Sequence, residues 1–410
     1  MRIIITHRLV LIASCLAVLA AVAAADDVYA RKAGGFARVS GTRFMVGGRP
    51  FYSDGFNAHW LMYMASNPAD RSKVLDTLGQ ASRLRARLVR TWAFSDGGNS
   101  RPLQISPGVY NEATFKGLDF VIAEAKKRGL YLILSLVNNW EAYGGKKQYV
   151  QWARNQGHYL GSDDDFFTSS ITQRFYMNHV RKILTRVNTF TRVAYKNEPT
   201  IFAWELMNEP RVPSDLSGKT MQAWVKMMSA YVKSIDHNHM VEIGLEGFYG
   251  ESVPARKQFN PGYMVGTDFI SNNRIPTVDF ATIHSYPNEW MPGASNAAQV
   301  VFMKKWMASH IKDAAMVLRK PLLVSEFAWS AKSNGYTVAV RDHYFRMVYD
   351  TIYASVKKGG SCAGGLFWQV LAPGMETWSD GYEVVLERSP TTAAIISQEC
   401  AKIDSYTPAV

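Results

Sequence analysis

Tyr131-Leu132-Ile133-Leu134-Ser135-Leu136-Val137 decides the fold. Only Ser135 interrupts an apolar run too short for a helix of ordinary length. A strand with one wet face alternates; an almost unbroken run is covered on both faces, as in a parallel sheet flanked by helices. Just upstream, residues 112–128 carry Phe115, Leu118, Val121, Ile122 and Ala125 at helical spacing, and Gly129 stops that helix. The same alternation continues outward. Toward the N-terminus, residues 36–55 read as a small hairpin turning at Gly47-Gly48, a first strand ends near Phe56-Asn57, and a second spans 86–92. Toward the C-terminus, strands at 201–207, 240–244, 280–283, 321–327 and 364–368 alternate with helical stretches at 166–195, 221–235, 297–318 and 338–356. Eight strands joined mostly by helices predict an α/β fold, a (β/α)8 TIM barrel with a short N-terminal hairpin. The long connections 138–165 and 246–279 then read as loops on its active face. An open doubly wound sheet would carry a Gly-rich phosphate turn after strand one, and Phe56-Asn57-Ala58-His59-Trp60 is nothing of the kind.

Composition agrees with one globular unit. At 47% hydrophobic and 20% charged residues, the 410-residue chain has enough apolar surface to offset the entropy of ordering. Three cysteines are too few to staple so long a chain. Residues 1–25 read as a signal peptide: Arg2, His7 and Arg8 precede the apolar run 9–20, and Ala23-Ala24-Ala25 offers a cleavage site. The remaining 26–410 is expected to be a single catalytic domain, secreted to the cell wall, with no membrane association once the leader is cleaved. Losing Arg2 and Arg8 takes the formal charge from +12 to +10. That excess is spread along the chain without a recognisable module, so no nucleic acid is expected as partner. Cys362 and Cys400 remain as an even pair in an oxidising compartment, and a disulfide tying the C-terminal segment to the barrel is expected over two buried thiols. His237 and His239 straddle Asn238 without further ligands near them, so no metal and no cofactor are implied.

The chemistry lies at the strand ends, where barrel active sites are built. Strand two ends in Arg90-Thr91-Trp92 and strand four runs into Asn208-Glu209-Pro210-Arg211. Strand six meets His284-Ser285-Tyr286, strand seven ends Ser325-Glu326-Phe327, and strand eight carries Trp368-Gln369. Two carboxylates from opposite walls are what glycosidic hydrolysis needs, one protonated to assist the leaving oxygen and one ionised to attack. Alternation would point Asn208 and Glu209 apart, so a bulge or twist is expected there.

These stretches, with Phe51-Tyr52-Ser53-Asp54-Gly55-Phe56-Asn57, Trp204-Glu205-Leu206-Met207 ahead of Asn208, and Gly365-Leu366-Phe367, closely resemble glycoside hydrolase family 5, most particularly its plant-type endo-β-1,4-mannanases. The resemblance runs from about residue 36 to 396. It implies Glu209 as general acid/base and Glu326 as nucleophile. It also implies Asn208 on the sugar 2-hydroxyl, His284 positioning the acid/base region, and Trp368 as the floor under the sugar at the cleavage point. Arg90 and Tyr286 are expected to donate to Glu326 and lower its pKa. Many members of the wider family carry a histidine after strand three; this chain has Asn138-Asn139-Trp140, like the mannanases. The implied partner is a mannan-type polysaccharide, cut internally with retention and with transfer to other sugars, by an enzyme expected to be monomeric. An endo-β-1,4-glucanase and a catalytically silent carbohydrate-binding barrel are the rival readings. Trp92 and Trp140 are candidates to stack sugars, and Arg211 to donate to a sugar beyond the cleavage point. Trp290 and Trp378 read as packing, and Glu205 as buried and paired.

Overall fold

The computed structural model describes residues 35–98 and 100–407; the expected signal peptide lies outside them. Eight parallel strands form the central sheet: β1 (Gly55–Asn57), β2 (Leu88–Trp92), β3 (Tyr131–Ser135), β4 (Ile201–Glu205), β5 (Met240–Glu242), β6 (Ala281–Ser285), β7 (Leu322–Phe327) and β8 (Cys362–Phe367). Their hydrogen-bonded order is β5-β4-β3-β2-β1-β8-β7-β6, which wraps the sheet into a (β/α)8 barrel. Ladders join every neighbouring pair except β5 and β6. That seam is closed by single bonds, Asp279 N–H to the Val241 carbonyl at 2.8 Å, the Val241 N–H to the Asp279 carboxylate at 2.6 Å, and His284 N–H to the Glu246 carbonyl at 2.9 Å. Every residue of β3 is buried, as its composition requires.

A three-stranded antiparallel sheet, Arg38–Ser40, Arg43–Val46 and Arg49–Phe51, seals the end of the barrel away from the strand C-termini. Phe44 and Phe51 supply the plug, with ring centroids 5.0–5.6 Å from Phe202, Phe280 and Tyr131. Outside the barrel, the helix Glu112–Lys127 starts where the Asn111 side chain accepts from the Ala113 and Thr114 N–H groups. It stops at Gly129, whose φ of +64° suits a residue without a Cβ.

Several expectations need correction. The stretch 166–195 is broken into Asp165–Thr168 and Ser170–Leu184, with a 3₁₀ turn only at Tyr195–Asn197. Between β1 and β2 run the helices Leu61–Ala65 and Arg71–Arg83, and the chain closes with Pro390–Asp404; none of these was expected from the pattern. The connection 138–165 is less a loop than a carrier for the helix Gly145–Asn155, while 246–279 holds only a 3₁₀ turn and the short helix Phe269–Asn273. The expected disulfide is absent: Cys362 and Cys400 are both free, buried thiols. Burial pushes the Cys362 thiol up to about 12, which leaves it protonated and unreactive. His239 is a satisfied core residue, with Nδ1 2.6 Å from Asp236 and Nε2 2.9 Å from the Glu198 carbonyl.

Candidate active site

The C-terminal ends of the strands open into a cavity of about 390 Å³, bordered by Asn208, Glu209, Tyr286, Glu326 and Trp368. Arg90, from β2, organises its floor. Fully buried, the guanidinium donates from Nη1 to Glu326 Oε1 at 2.5 Å and to Asn57 Oδ1 at 3.0 Å. From Nε and Nη2 it grips Glu205 at 2.5 and 2.7 Å, and Nη2 also reaches Asn208 Oδ1 at 2.7 Å. Glu205 is thus buried and paired, as expected. Asn208 is held a second time, its Nδ2 donating to Asn138 Oδ1 at 3.0 Å. Asn138, standing after β3, is thereby a support for the Asn208 amide.

Glu326 is the more buried of the two acids, with 4% of its side chain exposed against 12% for Glu209, but it alone is bonded directly to the Arg90 cation. Besides Arg90 it accepts from the Tyr286 hydroxyl at 2.5 Å. Glu209 accepts from the Trp140 indole N–H at 2.6 Å and shares a 2.6 Å hydrogen bond with His284 Nδ1. Burial lowers the pKa of His284, so the imidazole is neutral near pH 7. Burial also raises both catalytic-type carboxyls above the usual glutamate range. For Glu326 this corrects the expected lowering: His284, Arg90 and Tyr286 do pull its pKa down, but desolvation is larger.

One carboxylate oxygen from each of Glu209 and Glu326 lies within 4.8 Å of the other. The two side chains therefore face each other at close range across the cavity. With His284 they form the grouping among the described residues whose atoms could ring a cation. Arg90 already supplies the positive charge there, and a metal beside it would be repelled.

Glu209 reaches the cleft by a left-handed backbone, φ +50°, beyond the end of β4, whereas the register shift in the β3–β4 ladder lies farther back, between Leu132 and Ile133. Non-glycine residues adopt that conformation at a cost of about 1–3 kcal/mol. The turn points Asn208 and Glu209 into one cavity despite their adjacency.

The aromatic residues divide. Trp368 borders the cavity, its indole N–H held by Asp380 at 2.7 Å and its ring stacked on His59 at 5.4 Å between centroids. Trp92 is nearly buried, lies under Arg90 at 4.9 Å, and borders the cleft. Trp140 is 42% exposed at the rim. Arg211 is committed to Glu246 by two bonds of 2.6 and 2.7 Å and lies 4.9 Å over the Trp140 ring. Trp290 packs against Phe248 and Trp306, as expected, whereas Trp378 lines the cleft beside His59. His59, Tyr143, Glu246, Asp380 and Tyr382 were not anticipated. His59 follows β1 directly and was legible as a strand-end residue; the other four come from loops whose course no pattern gives.

The family profile described as GH family 5 beta-mannosidase-like matches residues 34–373. The chain belongs to glycoside hydrolase family 5. Within this family it is 70% identical to the putative mannan endo-1,4-beta-mannosidase 9 of Oryza sativa subsp. japonica, over 98% of this chain and 99% of that one. It is 58% identical to mannan endo-1,4-beta-mannosidase 4 of Solanum lycopersicum, over 88% and 90%. Among solved structures, the family 5 barrel superposes on the endo-beta-1,4-mannanase of Thermotoga petrophila with TM-score 0.75 and 30% identity, covering 88% of this chain and 78% of that one. For the endo-1,4-beta-mannanase of Rhizomucor miehei the values are 0.73 and 30%, over 90% and 99%.

Proposed function

We propose that this family 5 chain hydrolyses internal β-1,4-mannosidic bonds of mannan-type polysaccharides with retention of configuration. The observation that carries the mechanism is the close, unequally supported pair of carboxyls across an open cleft. In the first step the ionised Glu326, its charge supported by donors from Arg90 and Tyr286, attacks the anomeric carbon while Glu209 gives its proton to the departing oxygen. Forming the glycosyl ester removes the negative charge from Glu326. With that repulsion gone, Glu209 holds its next proton less tightly and takes one from the water that cleaves the ester. A sugar hydroxyl in place of water gives transglycosylation. Asn208, fixed from both sides, holds the 2-hydroxyl, and Trp368 forms the floor beneath the ring.

The mannan assignment draws on the names of the rice, tomato and microbial relatives, which share most of this chain's length. We carry forward a monomer, which sedimentation of the secreted protein checks. We also propose secretion to the cell wall after removal of residues 1–25, which N-terminal sequencing of the exported protein checks by finding Asp26 first. The decisive assay is product analysis on defined manno-oligosaccharides in heavy-oxygen water, beside rates on galactomannan and carboxymethylcellulose. Release of the β-anomer and no hydrolysis by Glu326→Ala are expected. Activity on carboxymethylcellulose alone would make the chain a glucanase, and an α-anomer would exclude retention.

A further inference from the structure

Beneath the proposed catalytic pair lies a second pair of carboxyl groups that the displacement does not use. Glu205 ends β4 and Glu242 ends β5; they are register partners on adjacent parallel strands, and both are fully buried inside the barrel. Glu205 holds the Nε and Nη2 side of Arg90, while Nη1 on the far side of the same guanidinium holds Glu326. Glu242 Oε2 accepts the Gly244 N–H at 2.5 Å and the Thr282 hydroxyl at 3.4 Å. Its Oε1 receives no N–H or O–H donor among the described residues, and its strongest charged neighbour is the Glu205 carboxylate.

Two ionised carboxylates side by side in so dry a place, with one guanidinium already shared with Glu326, leave an uncompensated charge. A single proton removes the conflict and supplies the missing partner of Oε1 at once. We propose that Glu242 stays protonated and donates that proton to Glu205, so that Glu205 acts as a singly charged anchor holding Arg90 aimed at Glu326. The groups facing Glu242 are Glu205 from β4, Arg90 from β2 and the uncharged Thr282 from β6; the Tyr176 hydroxyl stands beside Glu205. The directions of titration agree: burial and Glu205 push Glu242 well above the glutamate range, whereas Arg90 holds Glu205 below it. Glu242 is thereby a positioning residue acting through Glu205 and Arg90, and its kinetic consequences rest on the reading of Glu326 as nucleophile.

Two amide substitutions locate the proton. Glu242→Gln keeps a donor toward Glu205 and an acceptor for Gly244, so kcat on manno-oligosaccharides should stay within roughly 3-fold of wild type. Glu205→Gln removes the charge that grips Arg90, and kcat should fall at least roughly 100-fold with KM nearly unchanged. A melting comparison needs no substrate. Folding of the wild type at neutral pH takes up a proton at Glu242, because the unfolded side chain is ionised. Its stability therefore falls as pH rises above the ordinary glutamate value, and the Glu242→Gln protein lacks that loss. The Tm of Glu242→Gln minus that of wild type should grow from pH 5 to pH 8. A constant difference, the opposite order of the two kcat values, or failure of the isosteric Glu242→Gln protein to fold would each overturn the proposal. If wild type does not hydrolyse mannan, the functional reading fails while the melting comparison still decides the proton.

Discussion

At the residue scale, the roles proposed for the two acids are separated by what touches them. Glu326 has a guanidinium and a phenol; Glu209 has an indole N–H and a neutral imidazole. The indole bond favours the ionised form of Glu209, so Trp140 tunes the acid as well as standing at the rim. Trp140→Phe keeps a ring there and removes the donor. Its alkaline limb of kcat/KM on manno-oligosaccharides should move up by about one pH unit, with kcat lowered about 10-fold. A limb that stays put would exclude this bond from the acid's tuning. Asn138 carries a similar lesson. The sequence showed only that a histidine was missing after strand three, whereas the fold shows that amide holding Asn208.

At the scale of elements, turns decide where side chains point. Gly244 follows β5 with φ +89°, and a Cβ there would lie 1.9 Å from the Met207 carbonyl oxygen, on the segment leading to Asn208 and Glu209. Gly244→Ala combines a strained backbone with a backbone clash. It should cost at least about 3 kcal/mol in urea unfolding and displace Glu209, the proposed acid/base, which a drop in activity of the remaining folded protein would register. Unfolding at wild-type urea concentrations would show that the segment yields freely. At the other end of the barrel, Cys362 opens β8 and Cys400 lies on the closing helix. Both thiols should be silent to an aromatic disulfide reagent in the native chain 26–410 and titrate as two on unfolding, with reductant leaving Tm unchanged. Recovery of no thiols after unfolding would restore the bridge.

For the molecule as a whole, buried acids set the pH response. Desolvation raises Asp54 to about 8 and Glu246 to about 7, and raises Asp96 and Glu242 well above their usual values. Each is protonated when folded and ionised when unfolded in the window between its ordinary and raised pKa. Its contribution to stability is therefore complete at low pH and lost as pH rises through that window. His59, His179 and His310, held neutral by burial with pKa values of about 4, act in the opposite sense, and their offset ends at about pH 6.5. Melting temperature should consequently fall from pH 6.5 to 8 at constant ionic strength. Asp54→Asn should flatten the slope, each such group being worth up to about 1.4 kcal/mol per pH unit. A Tm independent of pH across that range would contradict the burial of these acids.

The barrel itself was readable because each strand buried on both faces must be an apolar run, and each covering helix must show an apolar stripe; both patterns are local. The strand-end residues Arg90, Glu209, His284, Tyr286, Glu326 and Trp368 were readable for the same reason, since finding a strand finds its end. Composition also marked Cys362 and Cys400 as a pair, but whether two thiols meet depends on the packing of helix against strand, and here they remain apart as thiols. Likewise the left-handed turn at Glu209, the hold of Glu246 on Arg211 and the stack of His59 on Trp368 join segments distant in sequence or depend on a single dihedral. The pKa directions belong to this second class, because desolvation is a property of everything packed around a group and no residue carries it alone.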